Sequence, residues 1–266
     1  MTAAWLRSLR YSTAALLWEQ RIKAWRRRRK LRHHAAYAGR CPLCLAKDSL
    51  VARGDNPRED IVCARCGSVP RHRAVIQVLH DSTPPVDGLC VHESSPSACT
   101  WQWFRDHSGD YTASHWFPGA PNGSRVGAFV AMDLANQGFD DGSFDLVVTL
   151  DVLEHVADPH AVIREIHRTL RPGGRHVFTV PRTRGVVTRT RAVLTEDGWQ
   201  HVLPPTYHVN PIDDEGSLVV TDWGDDLESI YSRDADASID ALSIRSPAIG
   251  VPGPLEIFVA TQRTES

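Results

Sequence analysis

The stretch Phe139-Asp-Asp-Gly-Ser-Phe-Asp-Leu-Val-Val-Thr-Leu-Asp-Val-Leu-Glu-His-Val156 indicates how this chain of 266 residues folds. Residues 145–150 form a short, mostly apolar run, as expected of a parallel strand that is buried on both faces. Asp158 and Pro159 then supply an N-cap and a first helical residue. Arg171-Pro-Gly-Gly174 ends that helix, and residues 176–180 form the next strand. A strand, a helical crossover and a second parallel strand make one unit of a doubly wound α/β sheet.

Further βαβ units surround this one, because short apolar runs alternate with helical patterns over residues 71–182. In such sheets, ligands bind beyond the carboxyl ends of the strands. Asp151, Glu154 and Pro181 follow predicted strands, and we therefore expect them to face a site.

Four cysteines form the pairs Cys41-Pro-Leu-Cys44 and Cys63-Ala-Arg-Cys66, with eighteen residues between the pairs. This spacing is typical of a tetrathiolate zinc site, and two chance pairs of buried thiols are the alternative. Four protein ligands leave no open coordination position, so the predicted zinc is structural. Only Cys90 and Cys99 remain, which argues against a disulfide framework and for a reducing compartment.

The net charge of −2 hides a marked asymmetry. Residues 1–40 hold eleven Lys or Arg and the single acid Glu19, whereas the rest of the chain is acidic. This basic arm lacks Gly and Pro before Gly39, and Trp18, Ile22 and Trp25 share one helical face. An anionic membrane surface and, less favoured, nucleic acid are its candidate partners. The alternative is a helix that packs its tryptophans on the body.

These segments predict three domains: a basic helical arm (1–39), a zinc ribbon (40–70) and an α/β domain (71–266). The longest strongly apolar stretch near the start, residues 14–18, is too short to span a membrane or to serve as a signal peptide. We expect a cytoplasmic protein that is peripheral at a membrane if the arm binds one.

The run of residues 139–156, followed by Arg171-Pro-Gly-Gly174, resembles class I S-adenosylmethionine-dependent methyltransferases of the type 11 kind. It is similar to their fourth strand, the next helix and the fifth strand, and a weaker likeness covers about residues 85–262. The resemblance implies a doubly wound, mostly parallel, seven-stranded Rossmann-like sheet with S-adenosylmethionine as cofactor. Residues 207–224 also resemble the C-terminal part of bacterial methyltransferases that carry an N-terminal cysteine ribbon.

The resemblance also implies which residues contact the cofactor. They follow the first four strands in turn, and they are Glu93, Ser94, His115, Asp133, Leu134 and Asp151. Two departures stand out. The glycine-rich first loop of the family is replaced by Ser94-Ser-Pro-Ser97, and the second strand ends in Ser114 and His115 where an acid normally binds the ribose hydroxyls.

Two functions from different classes remain open. The first is methyl transfer to a small-molecule, glycan or lipid-linked acceptor, in which His155, His208 and Tyr207 are the candidate catalytic residues. The second is a catalytically degenerate binding module that uses the ribbon and the arm for a partner, RNA or a membrane. An RNA methyltransferase guided by the ribbon is a third reading, against which the acidic body argues.

Overall fold

A computed structural model describes residues 10–82, 84–208 and 216–264 of the chain. The basic arm forms helix α1 (Thr13–Leu31), which begins after Ser12, whose Oγ accepts a hydrogen bond from the Ala15 amide at 3.3 Å. Tyr11, which precedes the helix, and Leu16 and Leu17 within it pack against an aromatic cluster of the body. Trp18 and Trp25 are 68% and 61% exposed, so the alternative that both tryptophans pack on the body is wrong.

The cysteine region is built on a small antiparallel sheet, with strands β1 (Ala36–Tyr37), β2 (Leu50–Ala52) and β3 (Ile61–Cys63) in that order. Helix α2 (Pro70–His80) follows it and is buried along most of its length. Pro70 suits the first turn of this helix, because the first amide groups of a helix have no intrahelical acceptor. The predicted boundaries at residues 39 and 70 stay predictions.

The α/β domain begins with alternating strands and helices. They are β4 (Cys90–Ser94), α3 (Ala98–His107), β5 (Asp110–His115), β6 (Arg125–Val126), β7 (Phe129–Ala131), β8 (Phe144–Leu150), α4 (Pro159–Thr169) and β9 (Leu170–Thr179). Asp158 caps α4 as predicted, since its Oδ1 accepts a hydrogen bond from the Ala161 amide at 2.9 Å. Strand β9 starts earlier than predicted, because the Arg171–Gly174 turn continues the strand instead of preceding it.

Short hairpins then build a lobe, residues 183–208 and 216–226, which we call the polar lobe. Its strands are β10 (Arg189–Thr190), β11 (Ala192–Thr195), β12 (Gly198–His201), β13 (Tyr207–His208), β14 (Ser217–Leu218) and β15 (Thr221–Asp222). Helix α5 (Leu227–Asp234) and the antiparallel pair β16 (Ala237–Ser246) and β17 (Val251–Gln262) complete the described chain. Buried Val219, Val220 and Trp223 attach the polar lobe to the core.

The central sheet has eight strands in the order β16-β17-β9-β8-β4-β5-β7-β6. Strands β9, β8, β4, β5 and β7 are mutually parallel, whereas β17 and the short edge strand β6 are antiparallel to their neighbours. The prediction of a doubly wound, mostly parallel sheet is confirmed. The two-residue strand β6 adds an eighth strand to the seven that we predicted.

Two apolar layers cover the sheet. Helices α2 and α3 pack on one face, and α4 and α5 pack on the other. The first layer also contains Cys41, Leu50 and Cys63, so the ribbon shares its core with the sheet. Each fully buried aliphatic side chain of this layer contributes about 1.5–3 kcal/mol of transfer free energy. Within the described residues, no helix combines the length and the apolar character that crossing a bilayer requires.

Candidate functional site

The four predicted zinc ligands converge on one point. Their sulfurs all lie within 4.8 Å of one another, and the Cys41–Cys66 and Cys44–Cys63 pairs have Sγ–Sγ distances of 3.6 Å. Zn–S bonds of about 2.3 Å at tetrahedral angles require sulfurs about 3.8 Å apart. The Ser68 hydroxyl lies 3.2 Å from the Cys41 sulfur, within hydrogen-bond reach. The cluster therefore fits a structural zinc ion.

Arg73 of α2 connects this cluster to the central sheet. Its guanidinium is fully buried and donates to the carbonyls of Ser68 (2.7 Å), Ile61 (2.8 Å), Ile249 (2.6 Å) and Gly250 (2.9 Å). Burial lowers the pKa of Arg73, and the nearby cysteines oppose that shift. A zinc ion with four thiolates would carry a net charge of −2, which the buried cation Arg73 would offset.

Asp151, at the carboxyl end of β8, forms ion pairs with two arginines. Arg58, in the loop between β2 and β3, donates to its Oδ1 at 2.7 Å, and Arg71 of α2 lies 3.2 Å from its Oδ2. The Thr179 hydroxyl also donates to Oδ1 at 2.7 Å. Burial alone would raise the pKa of Asp151, but the two arginines outweigh it and hold the pKa below its usual value. The ribbon is thereby ion-paired to the edge where ligands were predicted to bind.

The turn after β4 has an unusual backbone. Ser95 adopts φ 53°, in the left-handed region that glycine occupies at low cost, and its amide donates to the Ser114 carbonyl at 2.8 Å. Ser97 caps α3, so this helix begins directly after the turn. The turn therefore takes a path that usually needs a glycine.

Glu93, by contrast, lies behind this turn. Its side chain is buried against α3, and the Tyr111 hydroxyl donates to its Oε2 at 2.6 Å. Burial raises the pKa of Glu93 to about 8 although hydrogen bonds to Thr100 and Tyr111 lower it, so the group is mainly neutral at pH 7. Its Oε1 is buried without a hydrogen-bond partner among the described residues. Its role as a cofactor contact stays a prediction.

The other predicted cofactor residues follow β5 and β7. His115 is buried among aromatic rings, 4.8 Å from the Phe129 centroid, and burial lowers its pKa to about 4. Asp133 accepts a hydrogen bond from the Ala135 amide at 2.9 Å, while Leu134 is buried in the core. Trp116, which the sequence analysis did not single out, is 60% exposed immediately after β5. These residues lie on successive strands of one edge.

A second polar cluster lies where β8 meets the polar lobe. The Oε1 of Glu154 is 3.7 Å from His155 Nε2 and 3.8 Å from His208 Nδ1. His155 Nδ1 hydrogen-bonds to the Leu218 carbonyl at 2.8 Å, and the two histidine rings have centroids 5.0 Å apart. Tyr207, on the same strand as His208, is largely exposed and outside the cluster. We call Glu154, His155 and His208 the Glu-His-His cluster.

The structure thus brings together some of the predicted residues and not others. It unites the four cysteines, and it joins His155 to His208 through Glu154. The sequence analysis gave Glu154 no specific role and missed Arg58 and Arg71. No local pattern identifies these arginines, because their partner Asp151 is 93 residues from Arg58 in sequence.

Comparison with known proteins supports the interpretation of the sheet. Residues 111–178, from β5 into β9, match the sequence model of a family described as "Methyltransferase domain". The ubiquinone biosynthesis O-methyltransferase of Pseudomonas paraeruginosa is 40% identical over 67 residues, which are 25% of this chain and 28% of that protein. The chain matches less than a third of the length of such curated relatives. The resemblance to class I S-adenosylmethionine-dependent methyltransferases is confirmed.

The chain is also similar to solved structures of methyltransferases. An S-adenosylmethionine-dependent methyltransferase from Mesorhizobium loti has 17% identity and a TM-score of 0.49, over 71% of this chain and 98% of that one. The 1,6-didemethyltoxoflavin-N1-methyltransferase of Burkholderia thailandensis has 18% identity and a TM-score of 0.44, over 70% and 76% of the two chains.

Proposed function

We propose that this chain, which contains a class I methyltransferase domain, transfers the methyl group of S-adenosylmethionine to a small-molecule acceptor. The observation that carries this proposal is the arrangement of one edge: the carboxyl ends of β4, β5, β7 and β8 lie side by side, and Ser95, in the turn after β4, adopts a left-handed backbone that glycine usually occupies. The match to the methyltransferase family over residues 111–178 supports the same function.

The residues proposed to hold the cofactor are Glu93, Ser94, His115, Asp133, Leu134 and Asp151. When bound, S-adenosylmethionine supplies a methyl group that is already activated on a sulfonium. The protein must then align the acceptor, exclude water and remove a proton where the nucleophile carries one. Arg58 and the polar lobe supply the wall that could exclude water, because both reach the strand ends from outside the sheet.

The Glu-His-His cluster is the proposed place of acceptor activation. The Nδ1 of His155 is engaged by the Leu218 carbonyl, which leaves the lone pair of Nε2 directed towards the cluster. Burial, together with the neighbouring His208, lowers the pKa of His155, although the Leu218 carbonyl and Asp151 oppose the shift. A neutral imidazole at pH 7 can accept a proton. A hydroxyl or amine acceptor is therefore proposed, and a glycan or lipid-linked compound is the finer form of the proposal.

Calorimetric titration with S-adenosylmethionine tests the cofactor assignment. We expect binding in the wild type and a loss of roughly fivefold or more in affinity in Asp133→Ala, since a lost hydrogen bond costs about 1 kcal/mol. Asp133→Asn keeps the oxygen that the Ala135 amide contacts and should bind more tightly than Asp133→Ala. Asp110→Ala, an exposed aspartate at the opposite end of β5, is the control and should bind normally. Wild-type protein that ignores millimolar cofactor would support the degenerate binding module instead.

The arm supports a second proposal, association with an anionic membrane surface. Trp18 and Trp25 are exposed on a helix whose last turn is Arg28, Arg29 and Lys30, and the Arg29 guanidinium lies 5.8 Å from the Trp25 ring centroid. Exposed tryptophans beside a basic cluster suit the interface of an anionic bilayer. A cytoplasmic protein, peripheral at the membrane, is the localisation that this proposal implies.

A further inference from the structure

The Glu-His-His cluster has the composition and spacing of a metal site. One carboxylate oxygen and two imidazole nitrogens lie within 4.8 Å of one another. Metal–ligand bonds of about 2.1 Å at tetrahedral angles put donor atoms about 3.4 Å apart. The distances of 3.7 and 3.8 Å from Glu154 Oε1 to the two histidine nitrogens need only a small contraction to reach that value.

Glu154 is a buried carboxylate that lies between the two histidines. Its side chain is 1% exposed, and neither carboxylate oxygen has a hydrogen-bond partner among the described residues. The nearby arginines do not supply a partner for this carboxylate. Arg58 pairs with Asp151, and Arg71 pairs with Asp151 and Glu59. A fully buried carboxylate without a partner is strongly unfavourable, and a bound cation would offset its charge.

The two histidines have the features of metal ligands. His155 hydrogen-bonds through Nδ1 to the Leu218 carbonyl, which fixes the ring with Nε2 free to bind. Ligating histidines in proteins usually donate their second ring nitrogen in this way. His208 is 41% exposed at the mouth of the cluster, so an ion and a further ligand could reach it from solvent.

We propose that Glu154, His155 and His208 bind one divalent cation such as Zn²⁺ or Mn²⁺, separate from the cysteine site. Two imidazoles and a carboxylate suit these metals, and three protein ligands leave at least one coordination position open. If the chain is a methyltransferase, on which this chemical role depends, a hydroxyl oxygen of the acceptor occupies that position. The metal would lower the pKa of the hydroxyl, whose proton would pass to solvent at the exposed His208. The oxygen would then bond to the methyl carbon as the carbon–sulfur bond of S-adenosylmethionine breaks, and the neutral thioether would leave. With the metal bound, the role of ligand replaces the proton-accepting role proposed for His155 above, because the Nε2 lone pair then binds the metal.

Metal titration by calorimetry tests the site without an acceptor. MnCl₂ and, separately, ZnCl₂ are titrated into the full-length protein after elemental analysis has fixed its starting metal content. Total bound metal is the metal present at the start plus the metal taken up in the titration. We expect this total to be one equivalent per chain higher in the wild type than in Glu154→Gln. His208→Ala should bind at least tenfold more weakly. His201→Ala changes an exposed histidine of the polar lobe outside the cluster, and it should match the wild type.

Folding is checked separately in metal-free buffer, where circular dichroism should be the same for the wild type and Glu154→Gln. Added metal should raise the melting temperature of the wild type and leave that of Glu154→Gln unchanged. Equal metal uptake by the wild type and Glu154→Gln, or no uptake by either, overturns the proposal. A parallel titration with S-adenosylmethionine separates the two proposals: cofactor binding without metal uptake removes the metal site alone, and metal uptake without cofactor binding removes the methyltransferase assignment alone.

Discussion

Replacement of Arg73 provides a sharp test of how the cysteine site is joined to the sheet. Its guanidinium donates five hydrogen bonds, four to carbonyls and one to the Ser68 hydroxyl at 3.3 Å. Two of the carbonyl acceptors, Ile249 and Gly250, belong to the β16–β17 region, and the others belong to the ribbon. Among the described residues, no carboxylate lies within ion-pair distance of Arg73, so the cysteine cluster is its counter-charge.

Arg73→Met removes the charge and leaves buried carbonyls without donors. Breaking a buried charged interaction costs about 3–5 kcal/mol, and we expect about 4 kcal/mol here. Arg73→Lys keeps the charge but has three donors in place of five, and we expect it to cost about half as much. For a chain of this size, 1 kcal/mol corresponds to about 2–4 °C, so Arg73→Met should lower the melting temperature by roughly 8–16 °C.

Scanning calorimetry with elemental analysis of the same samples measures both effects. Arg53→Met is the control, because Arg53 is an exposed arginine of the same ribbon and its replacement should cost less than about 0.5 kcal/mol. Arg73→Met should lose metal on milder chelation than the wild type. The reasoning is refuted if Arg73→Met melts within about 2 °C of the wild type, since such a shift corresponds to at most about 1 kcal/mol. A separate ribbon transition below an unchanged main transition would also refute it.

Three further predictions concern the site edge and the arm. Asp151→Asn should lower the free energy of unfolding by about 2 kcal/mol and Arg58→Ala by about 1 kcal/mol, because these partly buried groups lie between the surface and buried cases. Urea unfolding of both and of the double variant should give a coupling of at least about 0.5 kcal/mol, and additive effects would contradict the ion pair. Ser95→Gly should stabilise the protein by about 0.5–1 kcal/mol, because the cost of holding serine in the left-handed region exceeds the entropy cost of glycine. A variant less stable than the wild type would count against the turn geometry. The double variant Trp18→Ala/Trp25→Ala should bind anionic vesicles at least tenfold more weakly, with unchanged stability. The control Trp199→Ala, which replaces another exposed tryptophan, should bind vesicles as the wild type does. Wild-type protein that does not bind anionic vesicles at low salt would contradict the membrane proposal.

Much of the fold followed from local sequence. The unit β8–α4–β9 was predicted because a buried run, an N-cap at Asp158 and a glycine turn each act within a few residues. The cysteine site was equally predictable, since the spacing of two CxxC pairs is enough to indicate a metal site. The short strand β6 could not be predicted from local sequence, because it pairs with β7 through only two residue pairs and has no apolar run of its own.

The site was less predictable because its contacts are long-range. The sequence indicated that Asp151 faces an edge, but not that Arg58 would reach it from the ribbon. The sequence showed that the family's glycines are absent after β4, but not that Ser95 would adopt the left-handed backbone in their place. His155 and His208 are 53 positions apart in sequence, and only the folded chain shows that the buried Glu154 lies between them.

The ribbon is therefore an integral part of the site edge. Within residues 58–73, Arg73 bonds to both the ribbon and the β16–β17 region, while Arg58 and Arg71 pair with Asp151 at the end of β8. Asp151 in turn lies close enough to Glu154 to raise its pKa further beyond the effect of burial. A disturbance of the cysteine cluster should thus reach the Glu-His-His cluster through charged groups of one short segment. On this basis, removal of the structural metal is expected to weaken ligand binding at the strand ends before the sheet itself unfolds.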